Sequence, residues 1–185
     1  ILSFLGSLSL VLQSGCDEVL TLMKRHYDTH LFKERIEWIK REMPDAFIGI
    51  DVIVGTNGES EEYFNRTYDF LKNLDFAQLH VFSYSERANT QALKIGNRVD
   101  AKEKKRRSEI LLQLSEEKRI VFYQSQIGKE APVLWETQRK GERMTGFTHN
   151  YISVECALDK SKVNTIEIVK LGDFNESREA LIVRS

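Results

Sequence analysis

Residues 46–54 read Ala46-Phe47-Ile48-Gly49-Ile50-Asp51-Val52-Ile53-Val54, a nearly unbroken apolar run of strand length, rich in branched side chains. A strand covered by helices on both faces reads this way, because neither set of alternating side chains meets water. Gly55-Thr56-Asn57-Gly58 makes the turn that follows. Residues 59–74 then carry Phe64, Thr67, Tyr68, Leu71 and Leu74 at helical spacing. Residues 78–82 form the next short strand. Upstream, residues 29–42 read as a helix with Phe32, Ile36 and Ile39 on its inner stripe, stopped by Pro44. Residues 1–12, ILSFLGSLSLVL, carry no charge and read as a further buried strand. It leads into Gln13-Ser14-Gly15-Cys16-Asp17, where Ser14 or Asp17 is expected to cap a helix with Val19, Leu20 and Met23 inside. Strands and helices alternating over connections of this length predict parallel βαβ units, and hence part or all of an α/β barrel.

Beyond residue 100 the pattern changes. Residues 100–124 predict one long charged helix with Ile110, Leu111, Leu114 and Val121 inside and Lys102, Lys104, Lys105, Arg106 and Arg107 outside. Residues 101–125 hold seven basic and four acidic side chains, a local net of +3. Such a face is either a solvated helix surface or a contact for phosphates. After Gly128 the period falls to two. Residues 131–136, 146–156, 164–170 and 180–183 read as short strands, enough for a small closed barrel of the oligonucleotide-binding kind. Two domains are expected: residues 1–124, α/β, and residues 125–185, all-β.

Composition narrows the function classes. The chain has 185 residues, 27 Lys+Arg against 28 Asp+Glu, 41% hydrophobic residues and two prolines. That apolar content suffices for packed cores and excludes a wholly disordered chain. A formal net charge of −1 leaves no global argument for nucleic acid or anionic lipid, so any such affinity is local. Two cysteines, Cys16 and Cys156, make neither a disulfide framework nor a CxxC zinc site, which fits a reducing, cytoplasmic setting. The apolar start is too short to span a bilayer and lacks a basic leader region, so no membrane role is expected. Without an initiator methionine, the chain is expected to be a piece of something longer.

In parallel α/β folds, ligands gather where the loops leave the C-terminal ends of the strands. Three loops qualify: residues 13–15, 55–59 and 84–90. Gly55 and Gly58 let backbone approach a ligand closely. Gln13 and Ser14 offer donors and acceptors, and Arg87 offers a planar fork for a carboxylate or phosphate. His26, His30, His80 and His149 show no metal-binding spacing, so no metal site is expected from this chain. Asp51 is either structural or turned towards a ligand at the barrel mouth. In the β module, Phe147, His149, Asn150 and Tyr151 are read on one strand, with Arg139, Lys140 and Arg143 just upstream. Aromatics beside a basic loop suit single-stranded RNA.

LQSGCDEVLTLMKRHY, DVIVGTNGESEEYF and LHVFSYSERANTQA, in this order and spacing, resemble the radical SAM methylthiotransferases. Within that family they most resemble the branch acting on threonylcarbamoyladenosine in tRNA, and TGFTHNYISV resembles its terminal TRAM module. The resemblance covers about residues 11–185. It implies the C-terminal part of a radical SAM partial α/β barrel followed by an OB-like TRAM barrel. It also implies a monomeric, cytoplasmic enzyme that uses S-adenosylmethionine and 4Fe-4S clusters to add a methylthio group to a modified adenosine beside the anticodon. Carried over by motif, Gln13, Ser14, Val54 and Gly55 line the S-adenosylmethionine pocket, and Arg25 and Arg87 are polar contacts near the barrel mouth. Phe147, Asn150 and Tyr151 fall on the RNA-facing or core strand of the TRAM module, while catalytic residues stay unassigned. The family's CxxxCxxC motif is absent from these residues, so the chain alone is expected to be inactive. A non-catalytic RNA-binding remnant and a methylthiotransferase acting on a ribosomal protein are the alternatives. Thr56-Asn57 and Ala88-Asn89 stand where the family usually has Phe-Pro and Pro-Gly.

Overall fold

The computed structural model describes residues 6–86, 95–140 and 142–183, the side chains of residues 137–140 excepted. They fall into two compact units: residues 9–44 with 48–118, and residues 6–8, 45–47 and 119–183.

The first unit is built on strands β1 (Ser7–Gln13), β2 (Phe47–Val54) and β3 (Gln78–Ser83), hydrogen-bonded in that order. β2 and β3 run parallel, in register from Gly49 opposite Gln78 to Val54 opposite Ser83. Helices α1 (Asp17–Leu22), α2 (Thr29–Glu42), α3 (Glu61–Lys72) and α4 (Ala101–Gln126) intervene. Local chemistry sets their ends. Asp28 caps α2 by accepting from Leu31 N–H at 2.8 Å, and Ser60 caps α3 by accepting from Tyr63 N–H at 3.1 Å. Neither Ser14 nor Asp17 caps α1. Cys16 holds the N-cap position without a side-chain capping bond, its thiol donating instead to Glu18 Oε2 at 3.1 Å, while Asp17 accepts from Thr29 N–H across the loop at 2.8 Å.

Two expectations are corrected here. β2 is buried on both faces only in its first half: Phe47, Ile48, Gly49 and Ile50 are all buried, but further on Asp51 and Ile53 are half-buried on one face while Val52 and Val54 stay buried on the other. On α4, Arg107 is 3% exposed rather than on the solvent side, and Val121 is 62% exposed rather than inside. The buried face of this helix turns along its length, with Arg107, Leu111, Leu114 and Ser115 inside early and Phe122, Tyr123 and Gln126 inside late. Its two halves pack in different units, so one straight stripe does not describe it.

The second unit contains a closed five-stranded barrel: β4 (Glu130–Lys140), β5 (Arg143–Thr148), β6 (Ser153–Ala157), β7 (Ile166–Phe174) and β8 (Leu181–Val183). The order round the barrel is β4-β5-β6-β8-β7; β6 and β8 are parallel and the other pairs antiparallel. Trp135 fills its centre with no exposed surface, and its indole N–H donates to Glu167 at 3.1 Å. Gly146 lies directly opposite Trp135. A methyl group there would sit 2.6 Å from Leu134 O and 2.9 Å from the Trp135 ring, so only glycine lets β5 close over the indole.

Residues 146–156 do not form one strand as the alternation suggests. Thr148 Oγ1 accepts from Ile152 N–H at 2.9 Å and donates to Asn150 Oδ1 at 2.7 Å, while Tyr151 takes a positive φ of 64°. These local bonds outcompete the ladder and fold the segment into β5, a turn and β6. Trp135→Ala is expected to destabilise the barrel by about 3–5 kcal/mol through cavity formation. The urea midpoint, followed by far-ultraviolet circular dichroism, reads this out.

Candidate functional site

The strand ends expected to hold a ligand do meet along one edge of the sheet, but mostly through bonds to one another. Gln13 ends β1 in a positive-φ conformation (70°), and its Oε1 accepts from Arg25 Nη2 at 2.9 Å. Ser14 Oγ lies 3.1 Å from Thr67 Oγ1 and accepts from Cys16 N–H. At the end of β2, Val54 O accepts from Tyr84 N–H at 2.9 Å. Gly55 N–H donates to Glu59 Oε2 at 2.9 Å. A side chain at Gly55, where φ is +74°, would run into Lys104. Arg87 lies outside the described residues.

Glu59 and Arg107, neither of which stands out in the sequence, organise this edge. Glu59 Oε2 accepts from the Gly55 and Thr56 amides, and Oε1 pairs with Arg107 Nη1 at 2.8 Å. Both side chains are about 4% exposed. Burial pushes the Glu59 carboxyl up, against the pull of Arg107 and the two amides. Arg107 also donates to Glu59 O and Glu103. Arg106 joins Glu103 to Glu61 beside it. The basic run on α4 is therefore in part an ion-pair network tied to α3 and its approach, rather than a free phosphate-binding surface. Arg106, seconded by Arg107, holds the Glu103 carboxyl down at about 2.

Leu22, Met23, Thr56, Asn57, Tyr84 and Ile95 line a small cavity of about 160 Å³ at this edge. Leu22 and Ile95 also line a neighbouring cavity of about 390 Å³ with Gly58, Ser60, Tyr63 and Asn97. With the Gly55 amide, Gln13 Oε1 and Ser14 Oγ already engaged, these residues do not fit S-adenosylmethionine as a complete site. They do not fit a 4Fe-4S cluster either. Among the described residues no three His, Cys, Asp or Glu side chains gather to hold a metal. Cys16 and Cys156 are buried in separate units, and burial raises both thiols away from the thiolate form.

On the barrel, Phe147 and Tyr151 come together with ring centroids 5.3 Å apart. With Pro132, Leu134, Thr148 and Ile166 they line a mainly apolar cleft of about 460 Å³. Leu134, Tyr151 and Ile166 are exposed there, a concentration of apolar surface that alternation alone did not single out. Arg143 is half-exposed and pairs with Glu155 at 3.1 Å. Asn150, expected on a strand, sits in the turn and is only 2% exposed. Its Nδ2 donates inward to Asp45 O at 3.0 Å, so it fixes the turn and does not face solvent. The side chains of Arg139 and Lys140 lie outside those described.

Comparison with known proteins decides the family. The chain is 38% identical over 146 residues, 79% of its length, to the threonylcarbamoyladenosine tRNA methylthiotransferase of Aquifex aeolicus. It is 33% identical over 95% of its length to the Bacillus subtilis protein of the same name. The tRNA-2-methylthio-N(6)-dimethylallyladenosine synthase of Desulfitobacterium hafniense is 32% identical over 88% of the chain. The chain belongs to the tRNA methylthiotransferase family. It spans 34%, 41% and 37% of the lengths of these three methylthiotransferases. No family model matches it.

Two outcomes follow from the ion pairs of this methylthiotransferase segment. Arg107→Met leaves Glu59 buried without its nearest cation and is expected to cost about 3–5 kcal/mol in urea unfolding. Adding Glu59→Gln, which keeps an acceptor for the loop amides, is expected to restore at least half; strictly additive losses would refute the charge-pairing account. Glu103, with its carboxyl depressed when folded, adds stability above the unfolded value of 4.5. This stability is lost as pH falls from about 5 towards 2. Glu103→Gln should flatten the pH dependence of the melting temperature in that window.

Proposed function

We propose that this chain is the C-terminal portion of a radical SAM tRNA methylthiotransferase that modifies an adenosine beside the anticodon, its share of the work being to bind and present the tRNA. The observation that carries this reading is identity of 32–38% to tRNA-modifying relatives across most of the chain. Both adenosine types, threonylcarbamoyl and dimethylallyl, occur among the relatives' names. The sequence VLQSGCDEVLTLMKRHY favours the threonylcarbamoyl branch. The closed five-stranded barrel corresponds to the OB-like TRAM module, and the parallel sheet to part of the radical SAM barrel.

S-adenosylmethionine and the iron–sulfur clusters supply radical chemistry in such enzymes. The described residues do not by themselves complete a site for either group, so no chemical step is assigned to them. Its contribution is the barrel surface. Phe147 and Tyr151 offer π-faces for splayed bases, and Arg143, at the other end of β5 and paired with Glu155, offers charge for a phosphate further along the strand. Such an enzyme works as a monomer in the cytoplasm, alongside its tRNA. Among the described residues, no helix is long and apolar enough to cross a membrane.

An anticodon stem-loop titrated against the chain tests this reading by fluorescence anisotropy. Affinity is expected to fall steeply with salt. Phe147→Ala with Tyr151→Ala is expected to weaken it about tenfold or more, since each stacked base contributes about 1–3 kcal/mol. Salt-independent binding, or none, would refute an RNA-presenting role.

A further inference from the structure

The loop that leaves β2 carries Asn57-Gly58, a pair with a chemistry of its own that the ion pairs of this edge do not use. In an open chain this pair attacks itself. Glycine has no Cβ, so its backbone nitrogen reaches the side-chain carbonyl carbon of the preceding asparagine with little hindrance. The folded loop occupies both reacting groups. Gly58 N–H donates to Asn97 O at 3.0 Å, and Gly58 takes a φ of 86° in a turn closed by Glu59 N–H donating to Thr56 O at 3.0 Å. Asn57 Nδ2 donates to Glu86 Oε1 at 3.1 Å, and the same oxygen is held by Arg98 Nε at 3.1 Å. Asn57 is only 4% exposed, which keeps out the water that the reaction consumes. Glu59 anchors the turn, since its carboxylate accepts from the Gly55 and Thr56 amides and pairs with Arg107.

We propose that Asn57-Gly58 is a latent self-modification site, converted to aspartate and isoaspartate whenever this loop opens, with the Glu59–Arg107 pair setting how often it does. In the first step Gly58 N gives up its proton to hydroxide and bonds to Asn57 Cγ. The Cγ–Nδ2 bond breaks, and Nδ2 leaves as ammonia. Water then opens the cyclic imide at either carbonyl, so water is the only co-reactant. The conversion runs one way because neither product restores the closed loop. An aspartate in place of Asn57 turns a carboxylate towards Glu86 Oε1, where an N–H was donated before, and the like charges repel. An isoaspartate adds a methylene to the backbone ahead of Gly58 and carries Gly58 N–H away from Asn97 O. Either product also sets a negative charge on the wall of the cavity lined by Leu22, Met23, Tyr84 and Ile95. Loops open in microseconds to seconds, far faster than the imide forms. The rate of conversion therefore tracks the equilibrium population of the open loop. This inference goes beyond the RNA-presenting role and does not depend on it.

The test incubates the whole chain at pH 8, folded and in urea. The peptide carrying Asn57 is followed by its mass gain on exchange of NH2 for OH, and by the separate elution of the aspartate and isoaspartate forms. The folded chain is expected to convert about tenfold more slowly than the unfolded one, or slower still. Arg107→Met, which releases Glu59, is expected to raise the folded rate about tenfold or more. Glu86→Ala, which releases the Asn57 amide and leaves Glu59 paired with Arg107, is expected to raise it about threefold. Asn57→Gln, whose longer side chain closes the ring slowly, is expected to abolish the mass gain. If Arg107→Met loses its far-ultraviolet circular dichroism, Glu86→Ala alone decides. Equal rates in the folded and unfolded chain, a folded rate that neither variant raises, or a mass gain that persists in Asn57→Gln overturns the proposal.

Discussion

A buried carboxylate and a buried guanidinium each lose several kcal/mol of hydration, and only close mutual geometry recovers it. Glu59 and Arg107 meet that condition, and much of the α/β unit is arranged around them. The carboxylate gathers the Gly55 and Thr56 amides and so fixes the path of the chain as it leaves β2. The guanidinium, reaching from α4, ties that loop to a helix whose residues lie far away in the sequence. Neighbouring Glu103, Arg106 and Glu61 extend the pairing towards water, where each contact contributes less. With the loop held this way, Tyr84 N–H reaches Val54 O and the ends of the two parallel strands stay aligned.

Much of the fold was legible. The bounds of α2 could be read because Asp28 and Pro44 punctuate it, and the four later stretches of alternation announced a small barrel. Other features depended on distant partners. In the run Lys102 to Arg107 no composition rule separates the one buried arginine from its exposed neighbours, because its burial is decided by a glutamate 48 positions earlier. The alternation through residues 146–156 slips phase where Tyr151 and Ile152 stand side by side, and there Thr148 and Asn150 fold the segment by side-chain bonds whose partners a period of two does not name.

The candidate sites divide along the same line. Gln13, Ser14, Val54 and Gly55 could be placed at strand ends from the pattern of apolar runs and glycines. What was not legible is that Arg25, Thr67, Tyr84 and Glu59 already engage their polar atoms. The pairing of Asp51 with His80 follows from the register of two strands, a quantity fixed by tertiary packing. Phe147 and Tyr151, by contrast, were visible as aromatics in the right segment, and the turn between them brings the rings together.

The barrel closes through its shortest strand. β8 contributes only three residues, yet it pairs with β6 on one side and β7 on the other. During synthesis it is also the last strand of the barrel to emerge. Until it does, β6 and β7 each carry an unpaired edge, the kind of template that draws strands from neighbouring chains. The time spent in that open state, rather than the strength of the finished core, sets how exposed the newborn barrel is to aggregation.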